Sequence, residues 1–355
     1  MPGAWTDFPA PPIPGIVNLA PNGACDFWQA VEGGTPTVAF NASPPRIYGP
    51  DRWYVNNGIG GTGTPGVITI SRQTGKANGS KYGFKAVVST APVTAPANVM
   101  ELYYMLLNRD SLALYGAIAT AGVYVTAFGN VNQVGVQFFT ATGEGKLGTA
   151  VGPKTLIPVN TTTATFAQVT AALGTGATTS GIVGVRISVE GVSSGHVYDL
   201  NNGLQAEQLI ITQGVVNLSQ AFGYGLVYPR CGDSFANELI ALQYDYQKNF
   251  PQGTAPANAV GSATYNLTVF DPTGATGTFG TCVDFPVQMR ANPTITTYSP
   301  VSANANWRDI TNNADRVVTV VGTPNLAGFQ VSGAAGVAAA TNVINWTADS
   351  RPALT

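Results

Sequence analysis

Short runs of β-branched and aromatic residues, each closed by glycine, proline or asparagine, recur along most of this chain. That rhythm limits the fold more than any other feature. A β-strand sends successive side chains to opposite faces, so alternating runs such as 181–189 (GIVGVRISV) and 82–88 (YGFKAVV) fit strands. Further strands are expected at 51–55, 67–71, 123–128, 134–139 and 204–211. A second set follows at 265–270, 283–287, 295–298, 317–321, 328–331 and 343–346. Spacing of about ten residues with turn signals between is the pattern of a β-sandwich or jelly roll. Segment 99–107 is apolar nearly throughout and fits a buried strand or a short helix. Within 282–310, two runs flank Met289-Arg290-Ala291-Asn292-Pro293 as a hairpin would, and Trp307 opens a third strand.

One segment departs from this rhythm. Phe235, Leu239, Leu242 and Tyr246 fall on one face of a helix over 234–250, with Asp233 or Ser234 to cap it and Pro251 to stop it. The expected architecture is all-β: two β-sandwich, jelly-roll-like domains joined by one short helix. Residues 1–20 read as a Pro-rich arm, 21–228 as the first sandwich, and 229–355 as the helix plus the second sandwich. Pro2, Pro9, Pro11, Pro12 and Pro14 keep the arm extended, and Trp5, Phe8 and Ile13 give it apolar groups to bury on a neighbour. No short internal repeat is present, which argues against a propeller or solenoid.

Composition narrows the functional classes. Charged residues are only 10% of the chain, against about a quarter in ordinary soluble domains, while hydrophobic residues at 45% argue against disorder. Surfaces this poor in charge suit copies that pack in an assembly. A net charge of −2 without a basic cluster in the sequence argues against nucleic-acid partners and anionic lipid. No stretch is long and apolar enough for membrane insertion, and residues 1–15 lack the features of a signal peptide. Cys25, Cys231 and Cys282 are odd in number and far apart, so free buried thiols are expected.

Catalytic patterns are weak. Gly58, Gly60 and Gly63 fit the spacing of a dinucleotide loop, but a β run follows where the helix should start. Gly191-Val192-Ser193-Ser194-Gly195 fits a nucleophile elbow, with the single histidine, His196, beside it. A triad needs its base from a distant loop and a helix after the serine, and neither is indicated. One histidine cannot build a multi-histidine zinc site, so no metal and no cofactor are expected. Asp271, Asp309 and Asp315 could in principle serve glycan hydrolysis, but they read as turn-forming or solvated acids. Flat aromatic rings can stack on sugars. Trp307, with Asn306, Arg308, Asp309 and Asn304 around it, is the candidate carbohydrate cluster, weighed against a core tryptophan. Trp28, Trp53 and Trp346 read as core.

Several segments, taken in order, carry a family resemblance. Asn22-Gly23 with Phe27-Trp28-Gln29 resembles an opening "NG-x-F-x-WQ", and Asp51-Arg52-Trp53 resembles "ADRW". Leu204-Gln205-Ala206-Glu207 resembles "LQLE", and Glu238-Leu239 through Tyr244-Asp245-Tyr246-Gln247-Lys248 resembles "EL…CQRYYQKSY", with Leu242-Gln243-Tyr244 replacing its Cys-Gln-Arg. Residues 285–294 resemble "FPVPMRATPT", and Trp346-Thr347-Ala348 resembles the closing strand. Across 22–348 the chain resembles bacteriophage tail-fibre and virion receptor-binding proteins with a jelly roll like that of carbohydrate-binding modules. The resemblance implies a non-enzymatic structural protein on the virion exterior, a homotrimer contributing to host attachment through surface glycans. It implies neighbouring virion proteins as partners of residues 1–20. Alternatives on the same fold are a capsid-decorating or head-fibre protein and an envelope-polysaccharide hydrolase.

Overall fold

The computed structural model describes residues 16–31, 34–39, 46–56, 66–77, 79–92, 100–143, 146, 148–174, 181–219, 228–260, 266–271, 278–334 and 339–354. The chain folds as two compact units. Residues 1–27, 35–238 and 352–355 make the first, and 28–34 with 239–351 make the second. These limits differ from the expected break at 228. The helix runs only over Phe235–Gln243 and the division falls inside it, while residues 352–355 return to the first unit. The Pro-rich arm through residue 15 and the glycine loop at 57–65 lie outside the described residues.

The first unit is an antiparallel β-sandwich of two six-stranded sheets. Sheet one runs β1 (Thr37–Ala39), β4 (Val67–Thr74), β5 (Tyr82–Thr90), β12 (Gly203–Gln213), β7 (Ile118–Phe128) and β10 (Thr165–Ala172). Sheet two runs β2 (Arg46–Tyr48), β3 (Trp53–Asn56), β6 (Glu101–Met105), β11 (Ile182–Val192), β8 (Val131–Ala141) and β9 (Thr149–Pro158). Within segment 99–107, residues Glu101–Met105 are thus a strand. Trp53 of sheet two meets Phe84 of sheet one edge-on at 5.9 Å and Tyr104 at 5.1 Å, and all three are fully buried. Such aromatic contacts add to the area they bury.

A polar latch closes this sandwich, and it is built from the segments that carry the family resemblance. Asn22, in a left-handed conformation (φ 58°), uses its amide to bind Phe27 O at 2.8 Å and Asp51 O at 2.9 Å, and its Oδ1 accepts Phe27 N. Its backbone carbonyl accepts Trp53 Nε1 at 3.1 Å, and its N–H donates to Glu238 Oε1 at 2.7 Å. Glu238 also takes Arg230 at 2.7 Å, and Arg230 reaches Asp26 with its other nitrogen. Gly23 is demanded by packing: a Cβ there would sit 2.0 Å from Leu209 O. The motif residues Asn22, Gly23, Phe27, Asp51, Trp53 and Glu238 therefore do structural work.

The second unit centres on β21 (Ala340–Asp349), with which four other strands pair. Its first half lies between β14 (Leu267–Asp271) and β17 (Trp307–Asp309), its second half between β13 (Tyr246–Lys248) and β16 (Thr294–Tyr298). β18 (Ala314–Arg316) extends that sheet beyond β17. A separate sheet runs β15 (Thr278–Asp284), β20 (Gly328–Ala334) and β19 (Val318–Val321). The hairpin expected at 283–298 is not formed: β15 pairs with β20 and β16 with β21, so the intervening residues cross between sheets. Phe285 and Met289 enter the core from that crossing, beside Trp346, Phe329 and Ile344. Asp245 and Arg290 pair at 3.3 Å, and Arg290 N donates to Tyr244 O, which ties the crossing to the chain after the helix.

Local signals explain the helix and its early end. Ser234 Oγ accepts Asn237 N at 3.1 Å, the cap expected there. The helical spacing continues to Tyr246, but Tyr246 to Lys248 pair with Asp349 to Thr347 instead, because a ladder on β21 satisfies their backbone and buries Tyr246. Cys25 is buried, whereas Cys231 is half-buried and Cys282 exposed, so only the first matches the buried thiol expected.

Candidate functional site

The face of sheet two turned away from the core follows from register. On β6, Leu102 and Tyr104 point to the core, so Glu101, Tyr103 and Met105 point outward. Tyr103 stands opposite Tyr54 on one side and Arg186 on the other, Arg186 stands opposite Gln137, and Tyr54 opposite Tyr48. One row across five strands is therefore Tyr48, Tyr54, Tyr103, Arg186 and Gln137. The adjacent row is Arg46, Asn56, Glu101 and Ser188.

These rows interlock. Tyr54 and Tyr103 stack at 5.1 Å with 14° between their planes, and Phe139 meets Tyr103 edge-on at 5.0 Å. Glu101 Oε2 accepts Tyr103 Oη at 2.8 Å and Asn56 Nδ2 at 3.2 Å, and Arg186 approaches Oε1 at 3.5 Å. Arg186 also donates to Gln137 Oε1 at 2.6 Å, and Gln137 Nε2 to Gly152 O at 2.8 Å. At the far end Glu190 accepts Lys154 at 2.6 Å and the Ser188 hydroxyl. Arg186, Lys154 and Glu190 keep 20%, 30% and 19% of their side chains exposed, so the charged rim reaches solvent while Tyr54 and Tyr103 are enclosed beneath Tyr48 and Leu354.

Three polar atoms of this face are left over. Tyr54 Oη, Asn56 Oδ1 and Arg186 Nε are buried and have no hydrogen-bond partner among the described residues. A buried polar group left without any partner costs about 1–3 kcal/mol, so each of these atoms is open to a hydrogen bond from water or a ligand. Burial pushes the phenols of Tyr54, Tyr103 and Tyr104 above the ordinary tyrosine value of 10. In the unfolded chain these phenols release protons near pH 10, and the folded chain holds them longer. Stability is therefore fully present below pH 10 and falls as pH rises through the folded values. A thermal midpoint of the first unit that is flat across pH 10, followed alongside tyrosinate absorbance, would contradict this.

The residues expected to bind sugar lie elsewhere. Trp307 is fully buried in the second unit, its Nε1 donating to Ser332 O at 3.1 Å and its ring edge-on to Phe279 at 5.2 Å. A ring so enclosed presents no stacking surface. Asp309 is buried and accepts Asn312 N at 2.9 Å and Arg316 at 3.0 Å. Burial alone would raise its carboxyl, but the bonds from Asn312 and Arg316 hold it below the ordinary range. Arg308 pairs with Asp315 at 3.0 Å, and Asn306 N donates to Asn304 Oδ1 at 3.0 Å. Trp307, Arg308 and Asp309 are thus strand β17 itself, and Asn306 belongs to the bend before it. His196 is exposed, its N–H donating to Asp199 Oδ2 at 2.7 Å within a turn that follows β11. No group of three or more His, Cys, Asp or Glu side chains placed to hold a metal occurs among the described residues.

No sequence family and no curated protein matches the chain. Solved structures similar to it include the CBM22-1 xylan-binding domain of Paenibacillus barcinonensis Xyn10C, at 11% identity over 53% of this chain and 99% of that one, with a TM-score of 0.30. A CBM4 structure aligns at 7% identity over 37% of this chain and 75% of that one, TM-score 0.27. The enzymatically active domain of bacteriophage CBA120 tailspike protein 4 aligns at 14% identity over 46% of this chain and 19% of that one, TM-score 0.26. Scores this low carry no argument about function. The class of the first unit rests on its own sheets: an antiparallel β-sandwich of jelly-roll type.

Proposed function

We propose that this chain is a non-enzymatic virion structural protein whose first unit binds a glycan on the outward face of sheet two. The observation that carries the binding site is the trio of unpartnered buried atoms, Tyr54 Oη, Asn56 Oδ1 and Arg186 Nε, beside a stacked tyrosine pair. Sugar hydroxyls both donate and accept, so they can meet a phenol, an amide oxygen and a guanidinium nitrogen at once. The stacked rings are as enclosed as Trp307, packed under Tyr48 and Leu354, so they brace the polar row and leave sugar contact to its polar groups. Glu101, Gln137 and Glu190 are already held by Arg186 and Lys154, which gives a rigid, preorganised surface.

The virion role, assembly as a homotrimer and display on the particle exterior rest on the ordered motifs resembling tail-fibre and receptor-binding proteins. Gold-labelled virions test the placement. Label on the tail supports an attachment fibre or spike, and label confined to the head favours a decorating protein instead. Solution mass tests the trimer, which a strict monomer would exclude.

The binding reading has a sharp test in Tyr54→Phe. Removing an unpartnered buried hydroxyl should leave stability unchanged or raise it by about 1–3 kcal/mol. The same change should weaken binding to the glycan selected on an array by about tenfold, one hydrogen bond. Tyr54→Phe that binds as well as the parent chain removes the site from this face. New reducing ends released from the bound polysaccharide would make the protein an enzyme.

A further inference from the structure

The hairpin formed by β4 and β5 carries Arg72, Lys76, Lys81 and Lys85, four of the chain's 16 basic residues, with no acid between residues 72 and 85. Folding gathers these cations over aromatic rings. Lys85 Nζ lies 4.3 Å from the centroid of Phe128 and Lys76 Nζ 5.1 Å from the same ring. Arg72 and Lys81 sit over Tyr82 at 4.5 and 5.0 Å. Register explains the first cluster. Lys85 stands opposite Gln205, Gln205 opposite Thr126, and Phe128 is two residues further along the same face of β7. Tyr124 lies on that face too, its ring 5.1 Å from Phe166.

The two ammoniums over Phe128 carry the positive charge of this patch. Lys76 Nζ donates only to a carbonyl, Thr161 O at 2.7 Å, and neither Lys76 nor Lys85 pairs with a carboxylate among the described residues. The nearby acid, Glu207, is fully buried and spends its oxygens on the N–H groups of Lys76 and Ala77 and on Gln205 Nε2. Partial burial, with Lys76 nearby, pulls the Lys85 ammonium below its ordinary range. Thr126 Oγ1, fully buried between Gln205 and Phe128, has no partner among the described residues. A cation attracted to a ring face gains roughly 0.5–2 kcal/mol, but two cations on one ring repel each other, and an anion seated between them relieves that.

We propose that the outward face of sheet one, around Lys76, Lys85 and Phe128, binds the carboxylate of an acidic sugar. The two ammoniums take the carboxylate, and the aromatic strip of Phe128, Tyr124 and Phe166 faces the carbons of the sugar chain. A sugar fits better than a nucleic acid, which needs a longer basic track than two lysines on a chain with net charge −2. This site lies on the sheet opposite the tyrosine face and stands or falls independently of it.

The experiment is calorimetric titration of the full chain at low salt with an oligogalacturonate, a neutral malto-oligosaccharide of equal length and a single-stranded DNA of equal charge. Oligogalacturonate should bind, weaken as salt is added, and lose about tenfold or more in the Lys76→Met/Lys85→Met variant, since each lysine supplies a charge-assisted bond. Lys85→Arg should retain binding. Both lysines are partly exposed, so the double variant should keep the parent's circular dichroism. Absence of oligogalacturonate binding, equal binding by the double variant, or equal affinity for the DNA overturns the proposal. Tyr54→Phe in the same titration separates the faces: it should leave oligogalacturonate binding intact, and a loss there would assign the ligand to sheet two.

Discussion

Trp307→Ala should unfold the second unit. The indole is completely buried, its ring is edge-on to Phe279, and Gly333 packs so closely that an added Cβ would lie 2.9 Å from Trp307 Cδ1. Alanine there leaves a large cavity among Phe279, Val331 and Ile344, and also leaves Ser332 O without the indole donor. Substitutions of this kind cost about 3–5 kcal/mol, a large part of the stability of a unit this size. Amide hydrogen exchange in β17, β20 and β21 should accelerate, while β5, β7 and β11 of the first unit stay protected. Unchanged protection in β20 would mean that the indole is not part of the core. Trp307→Phe keeps most of the volume and should cost less, the difference reporting the lost hydrogen bond and residual space.

The second large effect is expected at Glu238. Its side chain is fully buried and holds both Asn22 N and Arg230. Glu238→Ala strands a backbone donor inside the first unit and leaves Arg230 with Asp26 alone. Removing one partner of a buried ion pair costs about 3–5 kcal/mol, with the lower figure expected because 30% of the Arg230 side chain reaches water. Glu238→Gln keeps an acceptor for Asn22 and should cost visibly less than alanine. Equal midpoints for the two variants in urea titration would show that the acceptor to Asn22 contributes nothing. Burial raises the Glu238 carboxyl above its ordinary value, and the charge of Arg230, followed by the bonds from Asn22 N and Arg230, pulls it part of the way back.

The latch also explains what the motif segments encode. Asn22, Gly23, Phe27, Asp51, Trp53 and Glu238 are far apart in sequence yet meet in one hydrogen-bonded knot. In the second unit, Phe285, Met289 and Arg290 lock to Trp346, Tyr244 and Asp245 in the same way. The legible motifs thus secure the two folds, and of these segments the one at Gln205 and Glu207 also underlies a candidate binding face, beside Lys76 and Lys85. Trp307 shows the same division. A tryptophan amid Asn, Arg and Asp suggests a sugar platform, but strand pairing turns its ring inward and its polar neighbours onto one another.

Much of the fold was readable because strand and turn preferences are local. Alternation located β4, β5, β7, β8, β11, β12 and β21, and Ser234 marked the helix start. Pairing was not readable. The run through β15, a turn and β16 has every local mark of a hairpin, yet β15 pairs with β20 and β16 with β21, in different sheets. β9 and β10 were missed: β9 has no buried residue, and the alternation of β10 rests on the small residues Ala167, Val169 and Ala171.

The sequence by itself therefore determined the all-β class, the helix and the residues that knot each unit closed, since these depend on side-chain period, capping and close-packed contacts. Tertiary structure alone decided the two candidate binding faces. Tyr54, Glu101, Gln137 and Arg186 come from four strands, and Lys76, Lys85 and Phe128 from a hairpin and a strand well separated in sequence. Only the register of the sheets brings such side chains together, and register is set by the sum of contacts across both sheets.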